Sequence, residues 1–276
     1  MPDPRLPAVL SIAGSDSGGG AGIQADLKAF AACGVHGMTA ITAITAQSTV
    51  GVDAVGAIDP ELIVAQVRAV QRDIGVDAVK IGMLGTVESI AAVERALDEL
   101  DPGTPIVLDP VMVAESGAAL LAADARTALV ERLLPRVTVT TPNLPEARAI
   151  AGRPDADAPE LARAIHALGP RCVVVTGGHR DAATDVFFDG EKLVELPGER
   201  FADGAAHGSG CTHSSVLAAH LAHGFPPLEA ARAAKALAAR AVRDGLREIG
   251  AGAGPVDVLG IRARRPRAHG SSADGT

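Results

Sequence analysis

Ala8-Val-Leu-Ser-Ile-Ala13 runs directly into Gly14-Ser-Asp-Ser-Gly-Gly-Gly-Ala-Gly22, and an amphipathic helical pattern follows from about Ile23 to Cys33. A short apolar run of this kind reads as a buried strand. Strand, glycine-rich loop and helix in succession is the arrangement with which α/β folds hold a ligand. The spacing is not that of a P-loop, because no Lys-Ser/Thr follows the last glycine. It does not match the dinucleotide fingerprint either. The glycines by themselves fit a tight turn as well as a ligand contact.

The same alternation continues along the chain. Strands are expected at Met38–Ala46, at Val52–Ile58 as a short edge, and at Asp77–Ile81, Ile106–Leu108, Val137–Thr140 and Cys172–Thr176. Between them lie helical patterns. Asp59-Pro60 reads as an N-cap with proline at the first helical position, and Thr86 as the cap of the helix that carries Ile90, Val93 and Leu97. Val186–Val194 reads as a hairpin with Asp189-Gly190 as a type I′ turn. Two Ala-rich helices are expected at about Gly210–His223 and Pro227–Leu246. Strands alternating with helices predict an α/β fold: a doubly wound, mostly parallel sheet with helices on both faces. No internal repeat or linker divides the chain. We expect a single domain over residues 1–261 and a disordered tail over 262–276, where apolar periodicity ends.

Composition narrows the function. The net charge of −8 argues against nucleic-acid binding, which calls for a basic face. The N-terminal residues show no signal-peptide core, and no apolar run reaches the length of a membrane span, so neither export nor a membrane partner is expected. Three cysteines without framework spacing suit reduced thiols and a cytoplasmic location. With no Trp or Tyr, a flat ligand has to be held between aliphatic side chains, Met or one of five Phe.

The residues that carry chemistry cluster at expected carboxyl ends of strands, where ligands bind in such sheets. They are the Gly14–Gly22 loop, Gln47, Met83, Asp109, Asn143, Glu146, Thr176 and the loop His207-Gly208-Ser209-Gly210-Cys211-Thr212. The last stretch runs into an Ala-rich helix, so its amides and the helix dipole favour an anion. Cys211 at that N-terminus is expected to have a stabilised thiolate. Each residue also has a purely structural account. Asn143-x-x-Glu146 matches a capping box, Asp109 can cap a turn, Met83 can be core, and His179 and His207 can be satisfied loop residues.

Six motifs taken together resemble one family. They are Ala13-Gly-Ser-Asp-Ser-Gly-Gly-Gly-Ala-Gly-Ile-Gln-Ala-Asp-Leu-Lys28, Ala46-Gln47, Lys80-Ile-Gly-Met-Leu84, Leu108-Asp-Pro-Val-Met-Val113, Thr141-Pro-Asn-Leu-Pro-Glu-Ala147 and His207–Thr212. In this order they resemble the hydroxymethylpyrimidine/phosphomethylpyrimidine kinases of thiamine biosynthesis, in the ribokinase-like superfamily. The resemblance covers roughly residues 8–258. It implies two successive phosphoryl transfers from ATP with Mg²⁺ to a small pyrimidine, and a homodimer. It assigns Gln47 to the pyrimidine edge, Met83 and Val111 to its faces, and Gly14 and Asp26 to the same pocket. Asn143, Glu146 and Asp109 go to the metal and phosphates, Gly208, Ser209 and Gly210 to the anion hole with Thr176 beside the ATP phosphates, and Cys211 to the place of a catalytic base.

There are departures. Relatives often carry Lys where this chain has Glu115 and Thr176, and Thr where it has Ser209. Segments near Glu115–Ala118 and Gly178–Ala183 are candidates for a lid. A pyridoxal kinase of the same fold and a non-catalytic pyrimidine sensor are the competing readings.

Overall fold

The computed structural model describes residues 5–264 apart from 115–116, 119, 178–182 and 202–203. Glu115, His179, half of the first expected lid segment, most of the second and the tail from 265 onward therefore lie outside the described residues. β1 (Ala8–Asp16), α1 (Gly22–Ala32), β2 (His36–Gln47), β3 (Val52–Ala57), α2 (Pro60–Asp73), β4 (Ala78–Ile81), α3 (Val87–Leu97) and β5 (Ile106–Leu108) form the first half. α4 (Ala123–Ala128) follows. It widens into a π-helical turn over Leu129–Leu133 and tightens to a 3-10 turn over Leu134–Arg136. Then come β6 (Val139–Thr140), α5 (Leu144–Ala151), α6 (Ala158–His166), β7 (Cys172–Val175), β8 (Asp185–Phe188), β9 (Leu193–Leu196), α7 (Ser209–Ala222) and α8 (Pro227–Arg243).

Among the described residues the sheet has nine strands in the order β3-β2-β1-β4-β5-β6-β7-β8-β9. The run from β2 to β7 is parallel, while β3, β8 and β9 pair antiparallel. The expected doubly wound α/β sheet is therefore what forms. Its central strands are apolar on both faces, as a sheet covered by helices requires. Leu10, Val79, Leu108 and Val173 face the core under α2–α6. Val9, Ala78, Val107 and Val174 face the core under α1, α7 and α8.

The expected caps are present. Asp59 accepts from the Glu61 and Leu62 amides, and Thr86 from the Ser89 amide. The hairpin turn differs from expectation. Phe188 pairs with Leu193 and Asp189 N donates to Lys192 O, so Gly190 and Glu191 occupy the tip rather than Asp189 and Gly190. A type I′ turn needs positive φ at both central residues. Here only Gly190 has it, at 95°, and Asp189 instead accepts from the Glu191 and Lys192 amides.

One polar network penetrates the helix layer of α1 and α7. Lys80 Nζ on β4 lies 2.8 and 3.0 Å from the Asp26 carboxylate on α1. Asp26 also accepts from Ser11 Oγ of β1 at 2.6 Å and from Ser215 Oγ of α7 at 2.7 Å. Both charged side chains are fully buried. Removing one partner of such a pair strands the other charge. We expect Lys80→Met to lose about 3–5 kcal/mol of stability, and Lys80→Met/Asp26→Asn to recover much of it. Urea unfolding followed by circular dichroism checks both.

Candidate active site

β1 and β4 are adjacent, but the chain leaves them towards opposite sides of the sheet. A crevice opens at their carboxyl ends, the topological switch point. There a cavity of about 590 Å³ is lined by Gly14, Gln47, Met83, Asp109, Val111, Asn143, Glu146, Thr176, Gly208, Ser209, Gly210 and Cys211, among others. This volume lies within the usual range for a small-molecule site. The motif residues of the sequence thus converge, with one exception. Asp26 does not line the cavity. It lies behind the wall as the partner of Lys80, which does line it. The reason is electrostatic, since a fully buried ammonium requires a carboxylate in contact.

Gln47, at the end of β2, forms one wall. Ser17 Oγ donates to its carbonyl at 2.7 Å and accepts its amide at 2.8 Å. Thr45 Oγ1 lies 3.1 Å from the Gln47 side-chain oxygen and orients it. Met83 is buried and its methyl packs on Gly14, where a Cβ would approach Met83 Cε to 2.5 Å. Met83 and Val111 are thus apolar surfaces against which a ring can lie.

Asp16 organises the glycine-rich loop. Its carboxylate accepts from the amides of Gly18, Gly20 and Ala21 at 2.8, 3.1 and 2.8 Å, and faces His207 Nε2 at 3.1 Å. Burial pushes the Asp16 carboxyl up, but His207 and these amides outweigh it and hold it below its ordinary value. Gly208 follows His207 with φ of 81°, and a Cβ there would overlap Gly20 O, so only glycine fits. Gly208 is the N-cap of α7 and offers no side chain to the first helical amides. Ser209, Gly210 and Cys211 at this helix start line the cavity, a placement that suits an anion.

Cys211 departs from the expected stabilised thiolate. Its thiol is pushed up to about 12, chiefly by burial. Lys80 and the Gly22 amide pull it down, while Asp26 and Asp109 push it up. Desolvation and two nearby carboxylates therefore override the helix terminus.

Asn143 and Glu146 form the expected capping box of α5: Asn143 Oδ1 accepts the Glu146 amide and Glu146 Oε2 the Asn143 amide, both at 2.9 Å. Glu146 still lines the cavity, so the box and the site are one feature. Burial, then the charge of Asp109, raise the Glu146 carboxyl to about 8. Asp109 is likewise raised by burial, against the pull of Lys80 and of Ser214 Oγ at 3.0 Å. At the far end, Asp185 Oδ1 takes Lys235 Nζ at 2.7 Å and the Gly177 amide at 2.8 Å, and Asp185 Oδ2 lies 3.4 Å from His213 Nε2.

A family model described as phosphomethylpyrimidine kinase matches residues 16–257. The chain belongs to this family. It is similar to a hydroxymethylpyrimidine/phosphomethylpyrimidine kinase of Rhizobium meliloti, 54% identical over 90% of the chain and 95% of that protein. It is 43% identical over 91% of its length to a thiamine biosynthesis bifunctional protein of Geobacter sulfurreducens, of which it spans 52%. Among solved structures, an ADP complex of Bacillus subtilis pyridoxal kinase matches with a TM-score of 0.84 and 39% identity over 94% of this chain and 99% of that one. The kinase fold and the nucleotide-dependent class of chemistry follow from these matches.

Sequence reasoning gave no role in this kinase site to Asp16, Lys80, Asp185 or Lys235. Lys80 did leave a signal, a lone lysine inside the apolar strand Ala78-Val-Lys-Ile81. Asp185 and Lys235 left none, since only folding brings them together. Among the described residues no group of three or more His, Cys, Asp or Glu forms a metal cage. Asp109 and Glu146 nevertheless fit Mg²⁺, which prefers one or two carboxylates together with substrate phosphates.

The Glu146 carboxyl holds its proton in the folded chain up to about pH 8, but releases it near 4.5 when unfolded. The unfolded state binds fewer protons across that window, so stability falls as pH rises through it. Glu146→Gln is therefore expected to raise Tm by several degrees at about pH 8.5 in Mg²⁺-free buffer, and not at about pH 5. Scanning calorimetry at both values checks this.

Proposed function

We propose that this thiamine-biosynthesis kinase phosphorylates 4-amino-5-hydroxymethyl-2-methylpyrimidine to its monophosphate and then to its diphosphate, using ATP and Mg²⁺. The observation that carries the reading is the shared cavity. The Gln47 carboxamide and the Met83 and Val111 surfaces lie in the same space as the α7 N-terminus and Cys211.

In this reading Gln47 bonds the amino-pyrimidine edge, and Met83, Val111 and Gly14 enclose the ring. Gly208, Ser209 and Gly210 cradle the transferring phosphoryl group, with Asn143 and Thr176 beside the ATP phosphates. Asp109 and Glu146 hold Mg²⁺, which when bound neutralises phosphate charge. Phosphoryl transfer depends mostly on such positioning and charge stabilisation. In the first transfer the small thiolate fraction of Cys211 accepts the hydroxymethyl proton and becomes thiol, the hydroxymethyl oxygen bonds the γ-phosphorus, and the bond from that phosphorus to the ADP oxygen breaks. In the second, the nucleophile is a phosphate whose second pKa is about 6, and it needs no base. The absence of a helix long and apolar enough to cross a membrane, among the described residues, fits a cytoplasmic enzyme. Exposed Ile44, Val50, Val55 and Leu62 around the edge strand β3 support a homodimer.

A coupled ATP-turnover assay with the hydroxymethylpyrimidine, its monophosphate and pyridoxal tests the function. Turnover of both pyrimidines with pyridoxal much poorer is expected. Preference for pyridoxal would move the chain towards the activity named for its Bacillus structural neighbour.

Because the thiol lies near 12, its thiolate fraction grows about tenfold per pH unit below that. Single-turnover rates of the first transfer are expected to rise with pH in the wild type and to flatten in Cys211→Ala. The second transfer should lose far less on the same substitution, and an equal loss in both would sink the assignment.

A further inference from the structure

We infer that Thr49, Gly250 and Gly252 are positioning residues for the ring substrate, and that the segment Gly250-Ala-Gly-Ala-Gly254 is a strap that fixes the Gln47 wall of the cavity. The inference rests on the function proposed above, because it acts through Gln47. Gln47 ends β2, and the chain then turns through Ser48, Thr49, Val50 and Gly51 into β3. This turn projects from an edge of the sheet. Within itself it has only the Ser48 amide bond to Gly51 O at 2.9 Å and the Val50 amide bond to Ser48 Oγ at 3.4 Å.

The strap holds it from outside. The Gly252 amide donates to Thr49 Oγ1 at 3.2 Å. A Cβ on Gly252 would overlap the Thr49 carbonyl oxygen, and one on Gly250 would overlap the Thr49 side chain. Gly250 also has φ of 77°. Backbone meets backbone at Gly252, and at Gly250 the Thr49 side chain and the positive φ together require glycine.

The other end of the strap is anchored independently. The His207 amide donates to Gly254 O at 3.3 Å and the Val256 amide to His207 O at 3.1 Å. The Asp257 amide donates to Ala241 O of α8 at 2.9 Å, and the Asp257 carboxylate accepts from Ile261 and Arg262. His207 is in turn held by Asp16. The C-terminal segment thus bridges from the rigid anion-hole side to the Gln47 side, over about 200 residues of sequence separation, as the Gly252–Thr49 bond spans 203. Besides its strand partners, Gln47 makes hydrogen bonds with Ser17 and Thr45 among the described residues. A displaced Thr49, two residues away, moves the carboxamide that reads the ring. A shift near one ångström in a positioning group is enough to weaken productive binding.

The test uses the full chain. Gly252→Ala, Gly250→Ala, Thr49→Gly and Gly250→Ala/Thr49→Gly are assayed for kcat and for the KM of ATP and of whichever ring substrate the wild type prefers. Circular dichroism melting confirms that each is folded. Gly252→Ala is expected to raise the ring-substrate KM about tenfold while the ATP KM stays within about twofold. Thr49→Gly removes the side chain that a Cβ at 250 would strike, leaving only the strain of Ala at φ of 77°, so the double variant should lose less than the product of the single effects. A folded Gly252→Ala with unchanged ring-substrate KM, or with both KM values raised equally, overturns the inference. The wild-type substrate panel separately judges the proposed function, so failure of one is distinguishable from failure of the other.

Discussion

The buried Lys80–Asp26 pair is the constraint on which the centre of this molecule depends. It joins β4 to α1, and through Ser11 and Ser215 also β1 and α7. These four elements enclose the switch point of the sheet. An ion pair in a dry interior gains little net stability over an apolar replacement, because desolvation offsets attraction. Its value here lies in place rather than in strength. Lys80 is the cation in the cavity wall that reaches Cys211 and Asp109 electrostatically. Bonded to the Asp26 carboxylate on the far side, its ammonium is fixed in position beside the cavity.

The active site is assembled from both ends of the chain. The loop after β1 and the loop before α7 interlock at Gly20 and Gly208, with Asp16 and His207 bonded across the seam. The Asp16 carboxylate supplies acceptors to three loop amides, those of Gly18, Gly20 and Ala21. The loop after β1 and the start of α7 are consequently set relative to each other by direct contact.

Much of the fold was legible because its signals are local. Apolar runs such as Ile106–Leu108, caps at Asp59 and Thr86 and the proline at the start of α8 report on their own neighbourhoods. The convergence of Gln47, Met83, Asp109 and Glu146 was legible for a different reason: all sit at carboxyl ends of parallel strands. What failed depended on surroundings. Asp26 reads as a pocket residue until its buried lysine is seen. Cys211 reads as an activated thiol at a helix start, but the protein around it and the charges of Asp26 and Asp109 decide its proton affinity. The hairpin tip moved by one residue because strand register, set by Phe188 opposite Leu193, outweighs the Asp-Gly signal. Gly250–Gly254 has the composition of a loose loop, and its partner Thr49 lies at the opposite end of the sequence.

The cavity surfaces contributed by Met83 and Val111 belong to a chain with neither Trp nor Tyr and only five Phe. In the near-ultraviolet this protein is almost colourless. A pyrimidine or pyridine ring seated between a thioether and a branched aliphatic chain becomes the dominant chromophore of its own complex, with no indole to mask its absorption or exchange energy with it. The bound substrate can thus serve as its own spectroscopic reporter, turning a chain poor in aromatics into a window on the ring it holds.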